Sequence, residues 1–456
     1  MPAGACRIAE TAESAGHTVG FLDLMFAPDP VSAVEEHIRF FEPDCVGLSI
    51  RNVDNGDFCD PVTYWHNLPD LVFCVRAHST ATVLIGGGAV SVMPGEMLRV
   101  TSADLAVMGE GERVVPSLAA ALERGGSPRD IPGVGWLADG NVHCNPPAYD
   151  CPMDAPVAPD YHRWIDVNRY LRRGATVPVQ TKRGCPRRCV YCTYPLLEGR
   201  MHRHVPARDV ADAVVEFEQK GVRDVEFVDN VFNDPREHAF DVCSELAERG
   251  CGVRLHTAEI SPLGLDEQLL AAMQAAGFVS MGLTVESASN RVLSGLKKGY
   301  RLADVRRAAE AVHACDIPCM WIYLLGGPGE TPESVKTTLD FAERNVRPGD
   351  TAVFFPGIRI FPGTAIESVA RREGQLPEGG VDLAMPVFYL SPEIDGEWLI
   401  RTVKRRARHV PAFLAPDSRT ASFIPLAYRL AGWLGVGPPL WRYTGAMRRF
   451  LAPIGF

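Results

Sequence analysis

Short apolar runs alternate with amphipathic stretches along the first 125 residues, which predicts strands and helices in turn. The predicted strands are 18–24, 45–50, 82–85 and 105–108, and the predicted helices are 5–15, 31–41, 68–78 and 114–122. Because this alternation is typical of an open parallel sheet covered by helices, we expect a Rossmann-like α/β domain over residues 1–125. The first predicted element is a helix, so we expect this domain to lack its first strand or the chain to be truncated before it.

Proline and glycine interrupt the pattern between residues 126 and 175, where only two short strands are predicted, at 134–137 and 142–144. Turn-forming residues in this density indicate connecting structure. We therefore predict a linker with small strands over residues 126–175.

Six strand–helix units follow within residues 176–380. The predicted strands are 177–182, 225–228, 252–257, 279–285, 319–324 and 352–360, with helices at 207–219, 235–248, 266–275, 302–313 and 333–343. Consecutive units of this kind predict a partial parallel (β/α)6 barrel, in which ligands bind at the carboxyl ends of the strands. The alternation is lost afterwards, so residues 381–456 are predicted to form a small helical C-terminal region.

Composition and charge narrow the function classes. The 456 residues carry 46 basic and 56 acidic side chains, a formal net charge of −10 that argues against a nucleic-acid partner. No run of eighteen apolar residues occurs, so we predict no membrane span, and the N-terminus lacks the layout of a signal peptide. Thirteen cysteines at irregular spacing favour free thiols in a reducing cytoplasm over a disulfide framework.

Three cysteines lie together in the loop after the first predicted barrel strand. Cys185, Cys189 and Cys192, here called the cysteine triad, have the spacing C-x3-C-x2-C. Three thiolates from one loop can bind three irons of a [4Fe–4S] cluster and leave the fourth iron open to a substrate or cofactor. A structural zinc site would need a fourth ligand, for which His202 and His204 are the nearest candidates. Packing of the thiols in a core is a third interpretation, and the polar, arginine-bearing loop argues against it.

The cysteine triad, with Tyr191 before its last member and a six-unit strand–helix array around it, resembles the radical S-adenosylmethionine (SAM) superfamily over residues 176–365. The later motifs that agree with this resemblance each end a predicted strand: Asp229-Asn230, Glu286-Ser287, Gly326-Gly327-Pro328 and Phe361-Pro362-Gly363-Thr364. The resemblance implies that SAM binds the open iron. It also implies that one electron from the cluster releases a 5′-deoxyadenosyl radical, which abstracts hydrogen from the substrate.

The same resemblance implies roles for the strand-end residues. Asp229 and Asn230 are candidate contacts to the methionine amine, although the usual glycine-glycine-glutamate of the family is not matched there. Glu286 and Ser287 are candidates to hold the ribose or methionine part of SAM. The backbone of Gly326, Gly327 and Pro328 is expected near the adenine, because glycine lets a ligand approach the chain closely.

Polar residues and glycines also follow the strands of the N-terminal domain: Ser49, Arg51, Asn52, Asp54, Gly86, Gly87, Gly88, Gly109, Glu110 and Glu112. Directly ahead of a radical SAM domain, this layout resembles the cobalamin-binding domain of cobalamin-dependent radical SAM enzymes. The resemblance implies that these residues hold the corrin and its nucleotide tail. The cobalt-ligating signature D-x-H-x-x-G is absent, which leaves a degenerate domain that only packs on the barrel as the alternative.

Together the two resemblances imply a cobalamin-dependent radical SAM methyltransferase. It would move a methyl group from SAM, by way of methylcobalamin, to an unactivated carbon or a phosphinate phosphorus of a small-molecule or natural-product intermediate. The alternatives are a cyclisation, rearrangement or oxidation with the same cofactors, and a non-catalytic cofactor-binding protein. An RNA methylthiotransferase would want a basic surface and a second cysteine triad.

An electron donor such as flavodoxin or ferredoxin is the expected protein partner, since the cluster must receive an electron. The basic run Lys404-Arg405-Arg406 is predicted to be a solvated helix face, with docking of an acidic reductant as the alternative.

Overall fold

The protein was analysed as a computed structural model that describes residues 1–149, 157–377, 381–414, 431 and 436–451. Its first sheet contains, in spatial and chain order, β1 (Cys45–Ser49), β2 (Thr82–Gly86), β3 (Leu105–Val107), β4 (Val134–Ala138) and β5 (Asn141–Cys144). The first three strands are parallel, and the last two are antiparallel. The two strands predicted within the linker therefore extend the first sheet.

Six helices accompany these strands: α1 (Ala3–Ser14), α2 (Pro30–Phe41), α3 (Leu68–His78), α4 (Gly88–Val92), α5 (Pro94–Thr101) and α6 (Gly111–Glu123). Local sequence explains their ends. The α2 helix begins at Asp29, whose carboxylate accepts the backbone N–H groups of Val31 and Ser32, and Pro30 occupies the first turn.

The strand predicted at 18–24 is wrong. These residues form no strand, and only a short 3-10 turn, Leu24–Phe26, begins at their end. Their apolar side chains are used elsewhere, because Phe21 packs against the core of the second half of the chain, with its ring 5.9 Å from that of Trp164. The apolar side chains of residues 18–24 therefore reflect packing against the second half of the chain and not a strand of the first sheet.

The remaining strands are β6 (Val177–Val179), β7 (Lys182–Arg183), β8 (Arg203–His204), β9 (Asp224–Phe227), β10 (Arg254–Ile260), β11 (Phe278–Glu286), β12 (Cys319–Leu325), β13 (Thr351–Pro356), β14 (Ile358–Arg359), β15 (Phe388–Tyr389) and β16 (Phe413–Leu414). Seven of them form one parallel sheet in the order β6-β9-β10-β11-β12-β13-β16. The six predicted strand–helix units are confirmed in chain order, and the sheet stays open between β6 and β16. The short strand β16 was not predicted.

Helices connect these strands: α7 (Tyr161–Trp164), α8 (Val167–Leu171), α9 (Tyr194–Glu198), α10 (Ala207–Gln219), α11 (Arg236–Arg249), α12 (Glu267–Ala276), α13 (Asn290–Gly295), α14 (Leu302–His313), α15 (Pro332–Asn345), α16 (Ala365–Arg372), α17 (Gly396–His409) and α18 (Thr444–Leu451). None of the helices in the described ranges is long and apolar enough to cross a membrane. The α17 helix carries the basic run, whose Arg406 pairs with Asp340 and Glu343 of α15. Much of the predicted helical C-terminal region lies outside the described residues.

The two halves of the chain share one hydrophobic cluster. Ile50 and Ile85 of the first half are buried together with Val190, Leu296 and Ile358 of the second. This shared core brings the carboxyl ends of β1 and β2 against the loop of the cysteine triad, because Val190 belongs to that loop. The domain interface is therefore also where the site is expected.

Candidate functional site

The loop that carries the cysteine triad is tightly anchored. Gly184 has a φ of +83°, and a Cβ there would lie 1.9 Å from the carbonyl oxygen of Met201, so only glycine fits. The Cys185 N–H donates to the Gly199 carbonyl at 3.1 Å, and the Val190 N–H donates to the Leu296 carbonyl at 3.1 Å. The backbone of the loop is thus held at both sides.

Two thiols of the triad, those of Cys185 and Cys192, have raised pKa values. Burial raises the pKa of Cys192 to about 12, and the neighbouring Cys189 and Cys185 add to this effect. Burial also raises the pKa of Cys185. Within the described ranges, no three His, Cys, Asp or Glu side chains are grouped closely enough for a single metal ion. A cluster spreads its ligands over three irons, so three thiols in one loop, of which Cys185 is buried and the other two are half-buried, fit a [4Fe–4S] cluster.

A buried hydrogen-bonded network supports the loop from behind. The Tyr191 hydroxyl donates to Oε1 of Glu286 at 2.5 Å, and Nζ of Lys298 donates to the same oxygen at 2.7 Å and to the Tyr191 hydroxyl at 2.8 Å. Burial alone would lower the pKa of Lys298, but Glu286 and Tyr191 raise it well above its ordinary value. Glu286 has a φ of +64°, a rare backbone conformation for a residue with a side chain.

These contacts place two of the predicted residues, Tyr191 and Glu286, directly at the cysteine loop. Lys298 lies within residues 176–365, over which the chain resembles the radical SAM superfamily, but no role was predicted for it. The network of Tyr191, Glu286 and Lys298 therefore connects the end of β11 and the segment after α13 to the loop of the cysteine triad.

Glu259 is a residue of this site that the sequence did not single out. It is the penultimate residue of β10, and burial, reinforced by the neighbouring Glu286 carboxylate, raises its pKa to about 7. It also acts on the ionisation of Tyr194, which follows the triad. Its position at a strand end is the one sequence signal that could have identified it.

Asp229 and Asn230, which lie shortly after the end of β9, have different roles. Both carboxylate oxygens of Asp229 accept hydrogen bonds inside the chain, from Thr181 and Lys182, and its side chain has no exposed surface. Because the Asp229 side chain is fully buried and hydrogen-bonded within the protein, it has a structural role in place of the predicted contact to SAM. Asn230 donates to the Gly184 carbonyl at 3.1 Å, and its buried Oδ1 has no hydrogen-bond partner among the described residues. An unpaired buried acceptor fits a ligand N–H group.

Ser287 is also enclosed. Its hydroxyl is hydrogen-bonded to that of Thr338 at 3.2 Å and accepts the Ser289 N–H at 3.2 Å, and the residue has no exposed surface. The contact to SAM predicted for Ser287 is therefore replaced by a role in the turn that follows β11.

The glycine turn after β12 packs against the protein itself. A Cβ at Gly326, whose φ is +90°, would lie 2.3 Å from Leu390, and one at Gly327 would lie 3.0 Å from Leu296. The turn continues through Pro328 to Glu330, which is fully buried and accepts the Gly326 N–H at 3.4 Å. Close packing against side chains already explains these glycines, and their predicted contact with adenine stays a prediction.

The N-terminal domain presents polar side chains at the interface. Ser49, Arg51 and Asn52 are exposed at the carboxyl end of β1. Arg51 also lowers the pKa of Tyr194, against the larger effect of burial, so it lies near the segment that follows the triad. Exposed hydrogen-bonding groups at a strand end of such a sheet fit a large polar cofactor such as cobalamin.

The glycines of this domain have their own reason. A Cβ at Gly87, with a φ of +101°, would lie 2.5 Å from the Ile50 carbonyl oxygen, and one at Gly88 would lie 2.9 Å from that of Arg51. Gly109 is closed in by Pro147 and Tyr149. These three glycines let neighbouring chain segments pack closely, whereas a Cβ at Gly86 would lie at an ordinary 3.6 Å from Val107. A contact of these glycines with the corrin remains a prediction.

Three acidic residues predicted to hold cobalamin form buried ion pairs instead. Asp54 pairs with Arg359 of the second half at 2.8 Å, and both side chains are almost fully buried. Glu110 pairs with Arg203 and Arg183, and Glu112 with Arg183 at 2.5 Å. All three carboxylates are engaged across the domain boundary, so the cofactor contact predicted for them is corrected to an interface role.

Comparison with known families identifies both halves of the chain. The profile of the Radical SAM superfamily matches residues 179–342, and that of the B12 binding domain matches residues 1–119. The range 1–119 contains β1, β2 and β3, and the range 179–342 contains the cysteine triad and the strands β9 to β12.

Two curated relatives and one solved structure extend this picture. The chain is 26% identical over 355 residues to an uncharacterized methyltransferase of Pyrococcus horikoshii, covering 76% of this chain and 74% of the relative. It is 25% identical over 418 residues to the tryptophan 2-C-methyltransferase of Streptomyces laurentii, covering 77% and 68%. The radical SAM methyltransferase TsrM of Kitasatospora setae, solved with cobalamin and a [4Fe–4S] cluster, has the same fold, with a TM-score of 0.83 at 22% identity over 98% of this chain and 95% of TsrM.

Proposed function

Because the chain belongs to the cobalamin-dependent radical SAM enzymes, we propose that it transfers a methyl group from SAM, by way of cobalamin, to a small-molecule substrate. Methyl transfer is the activity named for both curated relatives. An unactivated carbon, or a phosphinate phosphorus, of a natural-product intermediate is the acceptor that we favour.

One observation carries the proposal. The loop of the cysteine triad lies at the interface with the N-terminal sheet, since Val190 is buried beside Ile50 and a Cβ on Gly88 would lie 3.4 Å from Leu197. A cluster on this loop and a corrin at the ends of β1 and β2 would therefore face one another. Methyl transfer between two cofactors needs this proximity.

Each group of residues has a defined task in this reaction. When bound, the [4Fe–4S] cluster, SAM and cobalamin supply the redox and methyl-transfer chemistry. The triad would hold the cluster, and Ser49, Arg51 and Asn52 would hold cobalamin through polar contacts. Tyr191, Glu286 and Lys298 fix the loop, which keeps the site preorganised.

Two groups of this chain would hold SAM when it is bound. The unpaired Oδ1 of Asn230 can accept an N–H of the ligand. Glu259, with a pKa of about 7, can hold or release a proton near neutral pH. Shared hydrophobic packing between the domains helps to exclude water from this region.

The test uses the full chain, reconstituted anaerobically with iron, sulfide and cobalamin, reduced with a low-potential chemical reductant so that cobalt can accept a methyl group from SAM, and given SAM that carries a deuterated methyl group. We expect S-adenosylhomocysteine to form and the label to appear on the bound cobalamin. With a substrate candidate such as tryptophan, the substrate of the Streptomyces laurentii relative by its name, methylation adds one labelled methyl group in place of a hydrogen. A protein that binds all three cofactors but moves no label would contradict the proposal, and a product of unchanged or reduced mass would favour rearrangement or oxidation.

We further propose a cytoplasmic location and an electron donor such as flavodoxin or ferredoxin. Twelve described cysteines are free thiols, which suits a reducing compartment. Stimulation of turnover by a reduced flavodoxin, compared with a chemical reductant, tests the partner.

A further inference from the structure

A buried network of ion pairs crosses the boundary between the two domains. Glu110 lies in the turn between β3 and α6 of the cobalamin-binding half, Glu112 lies in the first turn of α6, and Arg183 and Arg203 lie in β7 and β8 of the other half. Arg183 is 2.5 Å from Glu112 and 3.3 Å from Glu110, and Arg203 donates two bonds to Glu110, one of them at 2.9 Å. The four side chains are between 6% and 14% exposed.

These arginines hold both ends of the segment that carries the cysteine triad. Strands β7 and β8 form a two-stranded antiparallel ladder in which Arg183 is paired with Arg203. The chain between them, residues 184–202, contains the whole triad. Arg203 also donates to the Glu198 carbonyl at 2.9 Å within this segment, and Glu198 accepts the Gly184 N–H at 3.2 Å. A contact at β7 and β8 is thus a contact at the base of the cluster loop.

The geometry of the network favours a role in placement over one in overall stability. A bidentate arginine–carboxylate pair fixes direction as well as distance. Buried ion pairs are costly to desolvate and add little net stability, whereas removing one partner leaves an unpaired buried charge. Burial acts to raise the pKa of Glu112, but Arg183, a backbone hydrogen bond and Arg7 together lower it below its ordinary value, so the carboxylate stays charged and its pair with Arg183 persists at neutral pH.

The opposite end of the same turn belongs to the cobalamin-binding sheet. Glu110 lies between β3 and α6, and the Gly109 N–H before it donates to the Ser91 hydroxyl of α4, the helix that follows β2. The ion network therefore joins the strand ends of one cofactor domain to the base of the other cofactor's loop.

We infer that Glu110 and Glu112 are positioning residues, which fix the cluster loop against the strand ends of the cobalamin-binding domain and so set the separation of the two cofactors. This inference rests on the proposed function, because the separation matters only if a methyl group moves between the cofactor sites. Neither residue needs to touch cobalamin in this arrangement.

The test compares the wild-type holoenzyme with Glu110→Gln, Glu112→Gln and the double variant, each loaded with iron, sulfide and cobalamin. Hydrogen exchange of peptides covering residues 182–204 should rise by at least about tenfold in the double variant, because opening of the loop no longer breaks two charged pairs. Label transfer from SAM to cobalamin should fall by a similar factor. The KM for SAM and the iron and cobalt contents should not change.

Glu13→Gln is the matched control. Glu13 of α1 forms an exposed ion pair with Arg163 of α7, far along the chain from the triad, so its loss should alter neither readout. The charge-swapped variant Glu110→Arg with Arg203→Glu should recover part of the exchange protection. If the double variant does not fold, Glu110→Asp, which keeps the charge on a shorter side chain, supplies the same comparison.

Two results would overturn the inference. Loss of cobalamin from Glu110→Gln with the iron content intact would show that Glu110 binds the cofactor directly. Unchanged exchange at residues 182–204 in the double variant would show that the network does not hold the loop. Failure of the wild type to move any label would instead reject the proposed function. The exchange measurement would still decide whether the ion network holds the loop.

Discussion

Glu330 makes the stability of the glycine turn depend on pH. The residue is fully buried after the turn at the end of β12, where its carboxylate accepts the Gly326 N–H and the hydroxyl of Ser334. Burial raises the pKa of Glu330 to about 7 from its ordinary value of 4.5. Between these values the folded protein keeps a proton that the unfolded chain has released. The free energy of unfolding therefore decreases as pH rises from about 4.5 to 7 and levels off above.

The size of this effect follows from the two values. At about 1.36 kcal/mol per pH unit, the difference between 4.5 and about 7 corresponds to about 3 kcal/mol. The substitution Glu330→Gln keeps the size and hydrogen-bonding capacity of the side chain and removes the charge. We expect the variant to be more stable than the wild type by up to about 3 kcal/mol at pH 8, with the gap closing toward pH 5.

Thermal unfolding at pH 5, 6, 7 and 8 measures this prediction. The difference in midpoint between variant and wild type should grow between pH 5 and 7 and then remain constant. Glu393→Gln, at an exposed ion pair with Arg291, serves as the control and should give a difference that does not vary with pH. A pH-independent difference for Glu330→Gln would refute the reasoning.

Three further substitutions test other parts of the site. Replacing all three members of the cysteine triad by alanine should abolish the brown absorbance and the bound iron after anaerobic reconstitution, and retained iron would contradict the cluster assignment. Lys298→Met should lower stability by about 3–5 kcal/mol and reduce iron retention, since it leaves the Glu286 carboxylate buried without its cation; an unchanged melting temperature would argue against it. Gly87→Ala should cost more than about 1 kcal/mol and weaken cobalamin binding, because its Cβ would lie 2.5 Å from the Ile50 carbonyl oxygen, and unaltered binding would separate this turn from the cofactor.

Much of the fold follows from the sequence because apolar runs bounded by glycine mark buried parallel strands. The strands β1, β2 and β3 agree with their predicted bounds to within a residue. The error at 18–24 has a physical cause, since an apolar run records that side chains are buried without recording whether a strand or another domain buries them. Strand β16 has only two residues and gives no periodic signal.

The site divides in a similar way. The cysteine triad could be predicted because its members lie within eight residues of one another, and a single sequence shows such local spacing. Asp229 and Glu110 were assigned to cofactors because they follow strands, but a strand-end carboxylate can point to a ligand or to a basic side chain far along the chain, as Asp229 does to Lys182. That choice depends on contacts separated by 47 or more residues, which no local pattern contains.

The hydrophobic cluster shared by both halves has a consequence for how this protein can vary. Val190 lies between two cysteines of the triad and yet is buried with Ile50 and Ile85 of the other half, so a change in either partner repacks the loop of the cysteine triad. A chimaera in which one domain is replaced by that of a distant relative would also need matching residues on both sides of this shared hydrophobic cluster. Such chimaeras should remain functional only when the facing surfaces are inherited as a unit.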